Sequence, residues 1–221
     1  MGKRVPSGLT AAFLSAEGVL YAIFLVLDLT GRGSMTIPIK YGGILLCLAF
    51  VALCAARGGD RLVLPALALT ACADWSLLVR NDRYALGVTL FLCVQTVYLL
   101  RLRRAGAGSA WLLRSGLALG AGLAVYALGL ASPLNLLAML YFSQLLSNTA
   151  LAWTLKGVRW RLFALGLTLF VGCDVCVGLF NVLTQGSPLW PAVSVGMWLF
   201  YLPSQALIAL SALPKIEEGS S

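Results

Sequence analysis

Apolar residues run almost unbroken through this chain in eight stretches, each long enough to cross the hydrocarbon of a bilayer as a helix. A spanning helix needs about 20 apolar residues at about 1.5 Å of rise each. The stretches are approximately 8–29, 37–56, 61–79, 84–101, 110–131, 133–155, 161–184 and 190–213. Breakers or charges separate them: Gly31-Arg32-Gly33, Arg57-Gly58-Gly59-Asp60, Arg80-Asn81-Asp82-Arg83, Arg101 to Ser109, Ser132-Pro133, Lys156 to Arg159 and Gln185 to Pro188. Hydrocarbon offers no water to backbone N–H and C=O groups, so a spanning segment must bond to itself. These features predict an all-α fold, a polytopic transmembrane helix bundle of about eight spans. Residues 1–214 form its single domain, and 215–221 are expected to be a disordered polar tail. Ser132-Pro133 is the shortest separation, and a Pro in the first turn of span six suits a sharp hairpin.

Composition excludes most alternatives. The 221 residues are 60% hydrophobic and 11% charged, with a mean hydropathy of +0.92, too little charge to cover a soluble surface. The net charge of +8 is spread over short loops, which suits membrane topology rather than nucleic-acid binding. Twelve Lys and Arg fall on the N-terminus, the even-numbered loops and the tail. Only Arg32, Lys40, Arg80 and Arg83 fall on the opposite side. By the positive-inside rule both termini are cytoplasmic, and an odd number of spans would spoil the bias. The first run is too long for a signal-peptide core and lacks a clear cleavage site, so it is expected to stay attached. Short loops and the arginine bias suit a multi-pass protein of a bacterial inner (plasma) membrane.

Six cysteines lie within the apolar runs and read as small hydrophobes. Cys173 and Cys176 have CxxC spacing, but no second ligand pair or histidine accompanies them, so no metal or other cofactor is expected. The chain has no histidine at all, which rules out Ser-His-Asp triads and imidazole proton shuttles. No Walker loop, dinucleotide fingerprint or HExxH motif is present.

The informative residues are the polar ones inside the spans. Asp74 in span three and Asp174 in span seven are bare carboxyls in apolar runs, where charge is costly. A carboxyl group in hydrocarbon favours its neutral form, which is the form that donates a proton. The alternative use is a polar contact that locks helices together. Lys40 can either reach the outer interface or act as counter-ion to one of the aspartates. Gln95 and Tyr98 share a face of span four, which Phe91 extends. Trp198, Tyr201 and Gln205 do so in span eight, Tyr141, Gln144 and Asn148 in span six, and Asp174 with Asn181 in span seven. Converging faces of this kind suggest a polar cavity around the aspartates. Glu17, in the middle of span one, should also face inward, Asp28 should be interfacial, and Arg114 should reach the cytoplasmic headgroups. An Asp beside a Cys in spans three and seven, and a Gln with a Tyr in four and eight, hint at a parallel four-plus-four repeat.

The order of these residues resembles the YhhN-like membrane proteins, which include the animal lysoplasmalogenases. The matching stretches are Ile37-Pro38-Ile39-Lys40, Ala73-Asp74, Phe91-Leu92-Cys93-Val94-Gln95-Thr96-Val97-Tyr98, Cys173-Asp174 and Tyr201-Leu202-Pro203-Ser204-Gln205, spread over residues 37–210. Where the family pattern has Gly, Ser and His, this chain has Ala73, Cys173 and Gln95, and glutamine bonds without titrating. The resemblance implies hydrolysis of the vinyl-ether bond of a lysoplasmalogen. Asp74 and Asp174 would be the acid/base pair, and Lys40 would set the charge of its neighbour. Gln95, Tyr98, Tyr201 and Gln205 would orient substrate or water, with Asn181 and Glu17 as further polar contacts. The expected partner is a membrane lipid or lysolipid. Two other readings are a transporter using the aspartates for protons or cations, and a non-catalytic lipid-binding protein.

Overall fold

The computed structural model describes residues 5–183 and 187–214. Lys3, Arg4, Gln185 and the tail at 215–221 lie outside the described residues. Eight helices account for the described chain. They are α1 (Ser7–Leu29), α2 (Ile37–Ala56), α3 (Val63–Asp74), α4 (Tyr84–Arg104), α5 (Trp111–Ala127), α6 (Pro133–Thr154), α7 (Val158–Val182) and α8 (Trp190–Leu210). A short 3-10 turn, Gly33–Thr36, precedes α2, and α3 continues as a π-helical segment, Trp75–Arg80. Among the described residues, six helices, with α3 counted through its π segment, are long and apolar enough to cross a membrane. The molecule is therefore a multi-pass membrane protein. The other two depart from the rule for different reasons: α5 has only 17 residues, and α6 spends much of its length on polar side chains.

The loop residues act as the sequence predicts, except that α5 stops at Ala127 and Gly129, expected inside its span, forms the turn. α1, α2, α4 and α5 all end the same way, with Gly31, Gly58, Gly106 and Gly129 at positive φ just past the helix. The next residue in each case bonds back into the last turn, as in Leu130 N–H to the Val125 carbonyl at 3.0 Å. This motif satisfies carbonyls that the helix end leaves free, and only Gly adopts its turn without strain. Pro133 starts α6, and the Ser132 hydroxyl caps it by accepting from Asn135 N–H at 3.1 Å.

Packing places six helices in a closed ring, in the order α2, α3, α4, α6, α7, α8 and back to α2. α1 lies against α2 and α8, and α5 lies against α6. The α7–α8 seam is the most extensive and depends on small residues. A Cβ on Gly166 would come within 3.0 Å of the Ser204 carbonyl, and one on Gly196 within 3.0 Å of the Cys176 sulfur. Side chains meet across the ring, where Phe91 contacts Phe170 and Tyr98 contacts Phe163 edge-on.

One end of the ring is closed by charge. Asp60, in the α2–α3 loop, accepts from Arg101 Nε of α4 at 2.8 Å and from Arg159 of α7. Arg101 also donates to the Ser211 hydroxyl and carbonyl at 2.9 and 2.8 Å, and stacks on Phe163 and Trp160. The two loops after α2 and α6 and the ends of α4 and α8 thus share one end, as alternating spans require. Arg101 read as a loop cation, but it is buried. Burial acts most strongly on Asp60 and would raise its pKa. The two guanidiniums and the Leu62 N–H outweigh it and hold the carboxyl below its usual range.

Candidate functional site

Asp74 ends the α-helical part of α3, and the chain widens into the π segment at the next residue. Such widenings shift side-chain direction and recur at functional sites. The Asp74 side chain is buried and accepts from the Tyr201 hydroxyl of α8 at 2.7 Å. Asp174, half-buried on α7, accepts from the Tyr141 hydroxyl of α6 at 2.6 Å. The two pairs belong to one cluster. Rings connect them in a row, from Tyr141 to Phe91, Phe170 and Tyr201, with centroids 5.8, 5.6 and 5.4 Å apart. Both carboxyls also act electrostatically on the Tyr141 hydroxyl and on the Cys173 thiol. Four ring helices therefore each contribute one polar group to a site walled by aromatic faces.

Pro203 lies two residues after Tyr201 inside α8 and has no N–H to give the Leu199 carbonyl one turn back. Tyr21 of α1 supplies the missing donor, its hydroxyl lying 3.2 Å from that oxygen. The bond also explains why α1 lies against α8 at this level.

The other expected site residues divide into those brought near the pair and those that are not. Gln205 and Tyr98 are fully buried inside the ring, one turn or more from Tyr201 and Asp74, and hydrogen-bond to neither aspartate. Gln95 is also buried, but its side-chain oxygen accepts from Asn148 Nδ2 at 2.9 Å. Asn148 and Gln144, expected to extend the polar face of Tyr141, instead bond the Arg114 guanidinium at 2.6 and 2.5 Å. Arg114 therefore does not reach for headgroups. It is only 3% exposed and also holds the Ser109 carbonyl at 2.9 Å, just before Ala110 with its positive φ. Buried amide oxygens on α6 are better acceptors for it than a distant interface.

Lys40 is not a counter-ion to either aspartate. Its ammonium pairs with Asp28 at 3.4 Å and lies between the rings of Phe24 and Trp198 at 4.8 and 5.0 Å. Asp28 was expected at the interface, and its side chain is largely buried by this pairing. Lys40 still adjoins the site, because Trp198 packs edge-on against Tyr201 at 5.3 Å. Glu17 faces inward as expected, accepting from the Cys47 thiol at 3.3 Å, but at the seam of α1 with α2 and α8. Asn181 is exposed and bonds the Val177 carbonyl of its own helix, away from the cluster. The bonds also do not follow a four-plus-four repeat. Tyr201 bonds Asp74, whereas Tyr98, its counterpart in the first half, has a hydroxyl with no partner among the described residues.

Sequence reasoning missed two features here. Tyr141 was grouped with a polar face, but no spacing rule said it would bond Asp174. The role of Pro203 was also legible only in part, since a Pro inside a span signals a freed carbonyl without naming its donor. A separate cavity of about 570 Å³ opens between α6 and α7, at Trp153, Lys156 and Arg161. Its nearest lining residue on α7, Leu165, is about 13 Å along the helix from Asp174.

Fold and site together define a polytopic helical membrane protein with two carboxyl–tyrosine pairs inside a ring of helices. The chain belongs to the YhhN family, whose pattern matches residues 35–212. No curated protein and no solved structure matches it.

Proposed function

We propose that this protein is a membrane-embedded hydrolase of lysoplasmalogenase type, cleaving the vinyl-ether bond of a lysoplasmalogen. The observation that carries the reading is the convergence of Asp74 and Asp174, each bonded by a tyrosine hydroxyl, in one aromatic-walled cluster within the bundle. Membership of the YhhN family supports it.

The chemistry needs an acid and a base on either side of one carbon–carbon double bond. One carboxyl gives its proton to the alkenyl carbon remote from the ether oxygen, and the double-bond electrons form the new C–H bond. The positive charge is then shared between the other carbon and the oxygen. Water adds to that carbon as the second carboxylate takes its proton, giving a hemiacetal. The second carboxyl then gives a proton to the glycerol oxygen as the first carboxylate takes the hemiacetal hydroxyl proton. The bond to the glycerol oxygen breaks, a fatty aldehyde and a glycerophospho-headgroup leave, and both carboxyls return to their starting forms. Paired carboxyls divide the same tasks in glycoside hydrolysis. Tyr141 and Tyr201 hold the two carboxyls in place. The alkenyl chain lies against the aromatic row and enters from the bilayer, as apolar ligands enter helix bundles. Lys40, Gln95, Tyr98 and Gln205 orient substrate or water. We place both termini in the cytoplasm of a bacterial inner membrane, on the strength of the charge bias.

The test is to incubate purified protein with lysoplasmalogen and with the ester lysolipid of the same headgroup, following aldehyde and fatty acid. Aldehyde from the first and no fatty acid from the second is the expected result. Hydrolysis of the ester alone, or of neither, contradicts the reading.

A further inference from the structure

A ring of helices around an acid pair must admit water as well as lipid, and the two need not share a route. Several buried polar atoms have no hydrogen-bond partner among the described residues: Thr70 Oγ1, Gln95 Nε2, Tyr98 Oη, Ser204 Oγ, and both Nε2 and Oε1 of Gln205. Orphaned groups of this kind are rare in folded proteins, because each one gives up its bonds to water and gains none in return. Here they are not scattered. These stand on three ring helices, α3, α4 and α8, and the remaining one, Arg159 Nε of α7, belongs to the Asp60 clasp below them.

Their levels can be worked out from helix geometry. Asp74 and Tyr201 are bonded to each other, which fixes α3 and α8 at one height. Thr70 is one turn before Asp74 and Gln205 one turn after Tyr201. The helices run in opposite senses, since α3 begins beside Asp60 and α8 ends there. Both residues therefore lie about 6 Å nearer the Asp60 end than the acid. On α4, Arg101 bonds Ser211 at that end, Tyr98 is about 5 Å above it and Gln95 about 9 Å above it. Gln205 is about 9 Å above Ser211 by the same measure. The unpartnered groups thus form a column between the Arg101–Asp60–Ser211 clasp and the Asp74–Tyr201 pair.

We infer that this column is hydrated in the folded protein and holds water between the Arg101 clasp and Asp74, apart from the lipid entrance. Buried waters are held by two to four polar partners each, which is what Thr70, Ser204, Gln205 and Gln95 offer together at about 9–10 Å above Ser211, with Tyr98 about one turn below them. The inference rests on the hydrolase reading for its purpose and divides the labour of the pair. Asp74, at the head of the column, takes the proton of the attacking water. Asp174, the less buried of the two, gives its proton to the alkenyl carbon. Thr70 and Ser204 become water-positioning residues.

Hydration can be read without any activity, by radiolytic hydroxyl labelling of the full chain in lipid nanodiscs. Tyr98 and Phe163 are both fully buried and packed together, so Phe163 is the internal control. Radicals formed from held water should label Tyr98 several-fold faster than Phe163. The difference should shrink in the Thr70→Val/Gln205→Leu variant at unchanged Tm. Labelling of Tyr98 no faster than Phe163 in the native protein overturns the column. It does so whether or not the variant folds and whether or not aldehyde is released. Should the native protein release aldehyde, the variant should turn over about ten- to a hundredfold more slowly. Wild-type turnover in a folded variant overturns the water-positioning role.

Discussion

Asp60 shows how a single side chain can carry both architecture and a measurable pH signature. Its carboxylate is held by Arg101 and Arg159, and these contacts keep its pKa below the ordinary value of 3.8 despite burial. A group whose folded-state pKa is depressed contributes its full stability above the unfolded value and loses it as pH falls through the folded one. Asp60→Asn should therefore lower Tm at pH 6, and the gap to wild type should close as the pH is taken below about 4. A gap that stays constant with pH would show that the clasp does not depend on the charge of Asp60. Arg114 shows the limits of residue-level reading. Its position early in a span suggests a cation reaching for headgroups, but the outcome depends on what neighbouring helices offer. Gln144 and Asn148 offer two amide oxygens, and the guanidinium turns inward. Lys40 is a similar case. The sequence left it either at the outer interface or beside one of the two aspartates, and packing selected Asp28 instead.

At the scale of elements, the sequence was a good guide to where helices begin and end, because the physics is local. Gly31, Gly58 and Gly106 stop helices in the expected loops and Pro133 starts one, whereas Gly129 ends α5 short of the expected 131. Spans placed at 37–56 and 133–155 became helices at Ile37–Ala56 and Pro133–Thr154. The π segment after Asp74 was not legible, since no residue type in Trp75–Arg80 encodes it. Its packing gives one physical correlate: Leu77 presses on Gly87 so closely that a Cβ there would be 2.3 Å from Leu77 Cγ. Pro203 and Tyr21 give the sharpest prediction at this scale. Tyr21→Phe should destabilise the protein by about 0.5–1 kcal/mol by leaving the Leu199 carbonyl unbonded. In a Pro203→Ala background the new N–H can take that carbonyl, so the same change should cost almost nothing. A double-mutant cycle in detergent measures the coupling, and additive effects would show that the two residues do not share the oxygen.

For the whole molecule, an all-helical multi-pass bundle was legible from the eight apolar runs, and the burial of Asp74 from the cost of charge in hydrocarbon. The closed order of six helices was not, because it depends on side-chain fit between segments far apart in the chain. That order brings α3 and α8 together at one carboxyl, and α6 and α7 at the other. It also explains why Asn181, on the correct helix but two turns beyond Asp174, falls outside the site. Asp74 and Asp174 are proposed to act as an acid/base pair on a vinyl ether. The most direct measurement is turnover of lysoplasmalogen in D₂O by wild type, Asp74→Asn and Asp174→Asn, with mass analysis of the fatty aldehyde. Wild-type protein should yield aldehyde with one deuterium on the carbon next to the carbonyl. Each Asn variant, folded to the same Tm, should be slower by about a hundredfold or more. Aldehyde without that deuterium, or wild-type rates in both variants, would contradict the account.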